Sequence, residues 1–543
     1  MRSTFFLIAV AAILVLIALG AVFWQRIYCD DAENVARRAF KNSSVPLVMR
    51  LIVRAIDMAF FIILIRVLPG ADIGPYILAV ILVGQYLSTF TEFGLGVLLT
   101  REVAQDPQAA PRLFGVTLCM RWLLALVTAV PAAAVLIGFY DLLARLGVGE
   151  AITPVGQQAI WVLLLTLFPS AYSGAVTALY HAAERMEVPA LIEVVTAVLG
   201  MLARIAALWL GFGILGVSWA AVLVTSITAL IYLGLQLRDF FRPSLRWDRA
   251  LIYSLVPLAF PLMLNNLLNA VFFRFDAFII KAFGGGQGDL LVIQYDIAYK
   301  VLSMAMILPP VVTFAVFPVL ARRATGERAG MVHAQNRTLQ ALLLLAFPIA
   351  MGISVLATDL VLLLGGRGAD QYLPLSAHVL AILAWFLPLS FVNGLLQYVL
   401  IAVNRQQAIT RAFGIAVTCN LAANLIAIPV ATHVLLQPQL GLYAASGITI
   451  LTEVVLFAVF LPLLRHEGLT PPLLALAWRP GLAALLMGAA MGGILLITGT
   501  WGWLLAALVA LPSYTLALWL LGAFGAEERA LALRVLGRAP SET

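Results

Sequence analysis

The stretch RLIVRAIDMAFFIILIRVLPG, residues 50–70, is as long as a membrane-spanning helix yet carries Arg50, Arg54, Asp57 and Arg66. A bilayer core of ~30 Å takes ~20 residues of helix. A charge held at that depth costs at least ~2.5–3.5 kcal/mol, so it faces a cavity or a partner. Arg50, Arg54 and Asp57 fall at i, i+4 and i+7, on one face of the helix. An apolar helix with one charged face belongs in a membrane bundle with a polar interior.

The rest of the chain extends that reading. Apolar segments occupy 4–23, 46–68, 74–99, 113–139, 159–180, 190–211, 213–237, 251–283, 291–320, 338–364, 373–403, 408–436, 440–464, 474–498 and 501–522. No stretch between them is long enough for a globular domain. Charged residues make up 11% of the chain, against ~25% in a soluble domain, and hydrophobic residues 63%.

Arginines alternate from loop to loop. One set of loops holds Arg37 and Arg38, Arg101 and Arg112, Arg185, Arg238 to Arg249, Arg322 to Arg337, Arg405, Arg465 and Arg529 to Arg538. The other holds Arg145 and Arg367. Positive loops stay in the cytoplasm. The loop at 24–45 and the C-terminal tail are therefore expected there, with fourteen spans between them. Segment 4–23 reads as an uncleaved extra span with its N-terminus outside, because its apolar run exceeds a signal peptide's.

Other classes fall away. Among 33 basic residues only Lys41, Lys281 and Lys300 are lysines, and no basic run interleaves with aromatics. The net charge of +7 thus marks cytoplasmic loops and not nucleic acid. Cys29, Cys119 and Cys419 and the five histidines show no disulfide or metal spacing. There is no phosphate loop and no nucleophile elbow, so no catalytic residue, metal or cofactor is expected.

The opening stretch has a counterpart. Asn265 to Lys281 is again a polar-studded helix, and Arg54 to Arg66 and Asn269 to Lys281 span the same twelve-residue interval. Both stretches start in the cytoplasm and six spans follow each start before residue 466, which describes a parallel repeat. The expected fold is an all-α polytopic membrane protein. Two six-helix bundles, 46–245 and 246–466, are related by a pseudo-twofold axis along the membrane normal. An extra N-terminal span and linker (1–45) precede them, and two accessory helices with a cytoplasmic tail (467–543) follow.

Several stretches carry a family resemblance: TEFGLGVLLTRE (91–102), LVPLAFP (255–261), FRFD (273–276), YDIAYK (295–300), Phe317-Pro318, NGLLQ (393–397), Asn404, Asn420 and Asn424. Over about 46–466 the chain resembles the polysaccharide exporters, or O-antigen-type flippases, of the multidrug/oligosaccharidyl-lipid/polysaccharide (MOP) exporter superfamily. The resemblance implies a V-shaped pair of bundles in the inner (plasma) membrane. It implies flipping of a polyprenyl-diphosphate-linked oligosaccharide to the outer leaflet, driven by H+ or Na+. It also implies membrane lipids, polysaccharide polymerases and glycosyltransferases as partners, and no covalent chemistry on the substrate. Competing readings are a multidrug antiporter, a peptidoglycan lipid-precursor flippase, and a membrane-embedded glycosyltransferase or ligase. The last would carry a large external loop with paired acids or a catalytic His.

Residue chemistry assigns candidate roles. Arg50, Arg54, Arg121, Arg274 and Lys281 are expected to hold a diphosphate, whose oxygens suit a guanidinium fork. Asn265, Asn269, Asn393, Gln397 and Asn404 are expected to hydrogen-bond sugar. Asp57, Glu92, Asp276 and Asp296 are the candidates for ion coupling, because burial disfavours a carboxylate's charged form. Alternatives stand beside these. Arg50 can snorkel, Arg66 and Lys281 can anchor at the outer interface, Glu92 can bridge to Arg54 or Arg121, the amides can glue helices, and Glu453 can do either.

Overall fold

The computed structural model describes residues 35–324, 328–499 and 502–522, and among them all regular structure is helical. Among these described residues thirteen helices are long and apolar enough to cross a membrane, one for each segment expected from 74–99 onward. Segment 46–68 lies in a further helix, α1 (Val35–Val67), whose charges interrupt its apolar run. Helix α1 begins eleven residues before that segment, inside the expected loop, because Ala, Arg and Lys in VARRAFK favour helix. The expected span at 4–23 and most of the C-terminal tail lie outside the described residues.

The chain divides into two compact units, residues up to Asp296 with Ile428–Pro438, and Ile297–Ala427 with residues from Gln439 onward. The first contains α1, α2 (Gly70–Glu92), α3 (Leu95–Gln105), α4 (Pro107–Arg145), α5 (Pro154–Ala182), α6 (Glu187–Trp209), α7 (Gly213–Asp239), α8 (Arg249–Arg274), α9 (Asp276–Ala282) and the start of α10 (Gly288–Ala305). The second contains the rest of α10, α11 (Leu308–Ala324), α12 (Arg328–Val355), α13 (Ala357–Gly365), α14 (Leu375–Ala402), most of α15 (Gln406–Val434) and α16 (Pro438–His466), then α17 (Leu473–Thr498) and α18 (Gly502–Leu520).

Several expected segments are interrupted helices. The break inside 74–99 shapes the first unit. Phe93 (φ 50°) and Gly94 (φ 72°) are both left-handed, and they separate α2 from α3. The turn lets the chain close onto α8: a Cβ on Gly94 would lie 2.6 Å from the Leu262 Cβ and 2.9 Å from the Ala259 carbonyl oxygen. Around this approach Leu95, Leu98, Val116, Met120, Leu255 and Ala259 form one buried cluster. Gly94→Ala meets both the left-handed penalty of roughly 1–2 kcal/mol and the collision with backbone. Its melting temperature in detergent is expected to fall clearly below wild type; an unchanged value would show that the α2–α3 turn can relax.

Helix α8 is capped by Asp248, whose carboxylate accepts from the Leu251 N–H at 3.2 Å and from the Arg112 Nε at 2.9 Å. In the second unit, α17 and α18 bury Ala483, Ala484, Met487, Met491, Ala506 and Ala517 against Met351 of α12. Just past α16, Glu467 gathers Arg405 (2.7 Å) and Arg328 (3.2 Å). Arg405 above all holds the Glu467 carboxyl below the usual glutamate range, with His466 and Arg328 adding to it. A carboxyl so depressed contributes stability above its unfolded value, about 4.3, and loses it as pH falls further. The pair is largely solvent-screened, so the effect is small. Stability is expected to decline below about pH 4.5 more steeply in wild type than in Glu467→Gln, measured as melting temperature against pH.

Candidate substrate cavity

Helices α2 to α5 enclose a cavity of about 840 Å³, within the size range of small-molecule sites. Its wall carries Ser88, Thr89, Thr91, Thr100, Ser170 and Thr177, with Glu92, Arg101, Arg121 and His181 as its ionisable groups. The resemblance stretch 91–102 supplies much of this wall. Glu92 ends α2, Phe93-Gly94 turns the chain, and α3 continues through Gly96 to Thr100 and Arg101.

Arg121 lines the cavity from α4. It sits mid-way along the apolar helix α4 and is 2% exposed. Its guanidinium donates to the Ala171 carbonyl of α5 at 3.2 Å, and its Nε has no hydrogen-bond partner. Glu92 Oε1 stands 3.9 Å from the guanidinium, beyond hydrogen-bond length. Two glycines give Arg121 its room. A Cβ on Gly174 would lie 2.8 Å from one guanidinium nitrogen, and a Cβ on Gly96 would lie 3.1 Å from the other and 2.9 Å from Glu92. The result is a buried guanidinium with spare donors beside an open, hydroxyl-rich space.

A second cavity of about 400 Å³ adjoins through Ser170 and is lined by Asp57, Glu193 and Arg204. Arg204 lies 3.9 Å from Asp57, donates to the Gly200 carbonyl at 2.9 Å and stacks 4.3 Å over the Phe60 ring. Arg50 and Arg54 are exposed on α1, and both act electrostatically on Glu193; Arg50 also acts on His181. Arg50, Arg54, Arg121, Asp57 and Glu92 therefore share one region of the first unit.

The remaining expected residues stand elsewhere. Arg274 is ion-paired with Asp296, and Asp276 accepts from the Tyr295 hydroxyl. Lys281 is 1% exposed between Glu150 (3.1 Å) and Asp289 (3.0 Å). Asn265 and Asn269 are half-buried on α8, where Asn269 donates to the Asn265 carbonyl at 3.0 Å. In the second unit Asn393 is buried against Glu453 and Gln397 is half-buried. Asn404 lies past the end of α14, in a left-handed turn (φ 61°) that asparagine tolerates well, so it does not continue the α14 stripe. Sequence reasoning missed His181, Ser170, Thr177, Glu150 and the two glycines. For Gly96 the signal was its place in the 91–102 stretch; for the others there was none.

A membrane bundle of long helices enclosing a basic, hydroxyl-lined cavity has the build of a multi-pass membrane transporter. The family model for "Polysaccharide biosynthesis protein" matches residues 39–324, over half of the chain, and the chain belongs to that family. A second model, MatE, matches residues 261–426. No curated protein matches the chain. Among solved structures, the chain is similar to a lipid II flippase MurJ in an inward closed conformation (12% identity, 91% of this chain and 100% of that one, TM-score 0.66). It is also similar to a MOP superfamily transporter from Pyrococcus furiosus (14%, 80% and 96%, 0.55). An inward-facing multidrug resistance MATE family transporter is a further match (18%, 79% and 98%, 0.55). At these identities the likeness is one of fold. Family and fold together place the chain in the MOP exporter superfamily, on its polysaccharide-exporter side, and these relatives are transporters and flippases.

Proposed function

We propose that the protein flips a polyprenyl-diphosphate-linked oligosaccharide across the inner membrane, from the cytoplasmic to the outer leaflet. The observation that carries this reading is Arg121, a buried guanidinium on the wall of a cavity, whose Nε has no hydrogen-bond partner. A cation held in a low-dielectric interior is costly; Glu92 stands 3.9 Å away with its side chain half-exposed, and an entering phosphate supplies a closer counter-charge. Arg50 and Arg54, exposed on the neighbouring helix, meet the headgroup first, and the serine and threonine hydroxyls offer hydrogen bonds to sugar. Two six-helix bundles, 46–245 and 246–466, provide alternating access, driven by an ion gradient. Polymerases and glycosyltransferases act before and after it on the same lipid-linked chain.

The test is transport by the reconstituted full chain. Labelled polyprenyl-diphosphate oligosaccharide should move between leaflets, and a cationic dye should not. Export of the dye with no lipid movement would reverse the reading. Faster movement of a peptidoglycan lipid precursor than of other sugars would reassign the headgroup and leave the diphosphate site in place.

A further inference from the structure

Five charged side chains are buried among the described residues: Arg121, Asp276, Lys281, Asp296 and Glu453. Four have an opposite charge at hand. Arg121 has Glu92, Asp296 has Arg274, and Lys281 has Glu150 and Asp289. Asp276 has Arg274 acting on it and the Tyr295 hydroxyl bound to it. The carboxylates first considered for ion coupling are likewise matched with cations, since Asp57 has Arg204.

Glu453 is the exception. It lies mid-way along α16, 2% exposed, and its partners are neutral. Asn393 Nδ2 of α14 donates to its Oε2 at 2.6 Å and to its backbone carbonyl at 2.9 Å, and Ser390 hydrogen-bonds its side chain. The charged and titratable groups of the surrounding helices stand apart. On α15, Arg411 and Cys419 are exposed and His433 packs on Phe283; on α14, Tyr398 packs edge-on against Phe317 and His378 is bonded to Tyr443 of α16, which closes on Arg465 and His466. A lone carboxylate in such a place pays the cost of burial with no attraction to offset it, and protonation removes that cost.

We propose that Glu453 is a proton-binding site of the second unit, and that its loading and release couple a proton gradient to transport. The coupling half rests on the flippase reading above; the proton-binding half does not. The neighbours suit a proton better than a metal ion. An amide N–H aimed at Oε2 is a donor, which a cation would repel, whereas the Ser390 hydroxyl can donate to the carboxylate or accept from the acid. Beside Glu453 runs a polar file: Asn424 donates to Asn420 at 3.1 Å, and Asn420 donates to Thr452 at 2.9 Å. The Oδ1 atoms of Asn393 and Asn424 are buried acceptors with no protein donor, the kind of group that water satisfies in a proton path.

Two measurements decide the matter. Infrared difference spectra of the full chain in nanodiscs, recorded across a pH step, should show a protonated-carboxyl band. The band should vanish in Glu453→Gln, move in Glu453→Asp and persist in Asp276→Asn. A band untouched by both Glu453 substitutions would overturn the proton site, and Glu453→Asp decides alone if Glu453→Gln fails to fold. In proteoliposomes, a pH gradient should speed wild-type lipid flipping several-fold and leave Glu453→Gln at its gradient-free rate. A full response of Glu453→Gln to the pH gradient, or acceleration of wild type by sodium alone, would overturn the coupling. A wild type that moves no lipid would sink the flippase reading while the infrared result still stood.

Discussion

Arg121→Ala is expected to lower lipid flipping by about 10- to 100-fold, the worth of one or two charge-assisted hydrogen bonds at 1.5–3 kcal/mol each. The fold should survive. Among the described residues the carboxylate ion-paired with Arg121 is Glu92, whose side chain is 42% exposed and 3.9 Å away, so the substitution strands no buried charge. Arg121→Lys keeps the charge and loses the fork, and should fall between the two. Arg101 lines the same cavity but is tied to Glu102 at 2.5 Å, so Arg101→Ala should cost less. Arg54→Ala, exposed on α1, should also cost less, with Arg54→Lys retaining most transport. These are rates of labelled-lipid movement at matched protein levels. Full activity in Arg121→Ala would place the diphosphate elsewhere, with Arg54 next to be tested.

The helices were legible in the sequence and their breaks were not. An apolar run with the right length names a span whatever surrounds it, which is why thirteen segments reappear as thirteen helices. The turn at Phe93-Gly94 is invisible by that ruler, because a glycine in an apolar run reads as continuous helix until Ala259 and Leu262 are seen against it. The same holds at the site. Arg121 stood out as a charge in an apolar segment. Gly96 and Gly174 matter only for the space they leave around it, and that depends on helix contacts between residues 25 and 53 positions apart in sequence. Glu150 was unremarkable in a loop, since its partner Lys281 lies 131 residues on. Glu453 carried an ambiguous signal, a single acid in a long span. Only its neighbours could decide it, and they prove to be an amide and a hydroxyl.

Lys281→Met is the largest expected stability loss. The ammonium sits 3.1 Å from Glu150 and 3.0 Å from Asp289, and these carboxylates are themselves only 19% and 14% exposed. Removing it leaves two partly buried negative charges facing each other, and breaking a buried pair from one side costs about 3–5 kcal/mol. The loss spreads, because Glu150 also accepts from the backbone of Gly286 and Gly288, and its own N–H donates to the Ala282 carbonyl at 3.2 Å. That lattice fastens the loop between α4 and α5 to the turn between α9 and α10. The start of α2 is pressed onto the same place: a Cβ on Gly74 would lie 2.1 Å from the Asp289 carbonyl oxygen. The melting temperature of Lys281→Met should drop steeply, and adding Asp289→Asn should recover part of the drop by removing one stranded charge. A wild-type melting temperature in Lys281→Met would mean that the carboxylates find water or protons at no cost. Transport discriminates further. With its donors committed to Glu150 and Asp289, Lys281 has little to offer a diphosphate. Flipping per folded molecule should therefore stay near wild type in Lys281→Met at temperatures where it remains folded, while Arg121→Ala stays folded and fails.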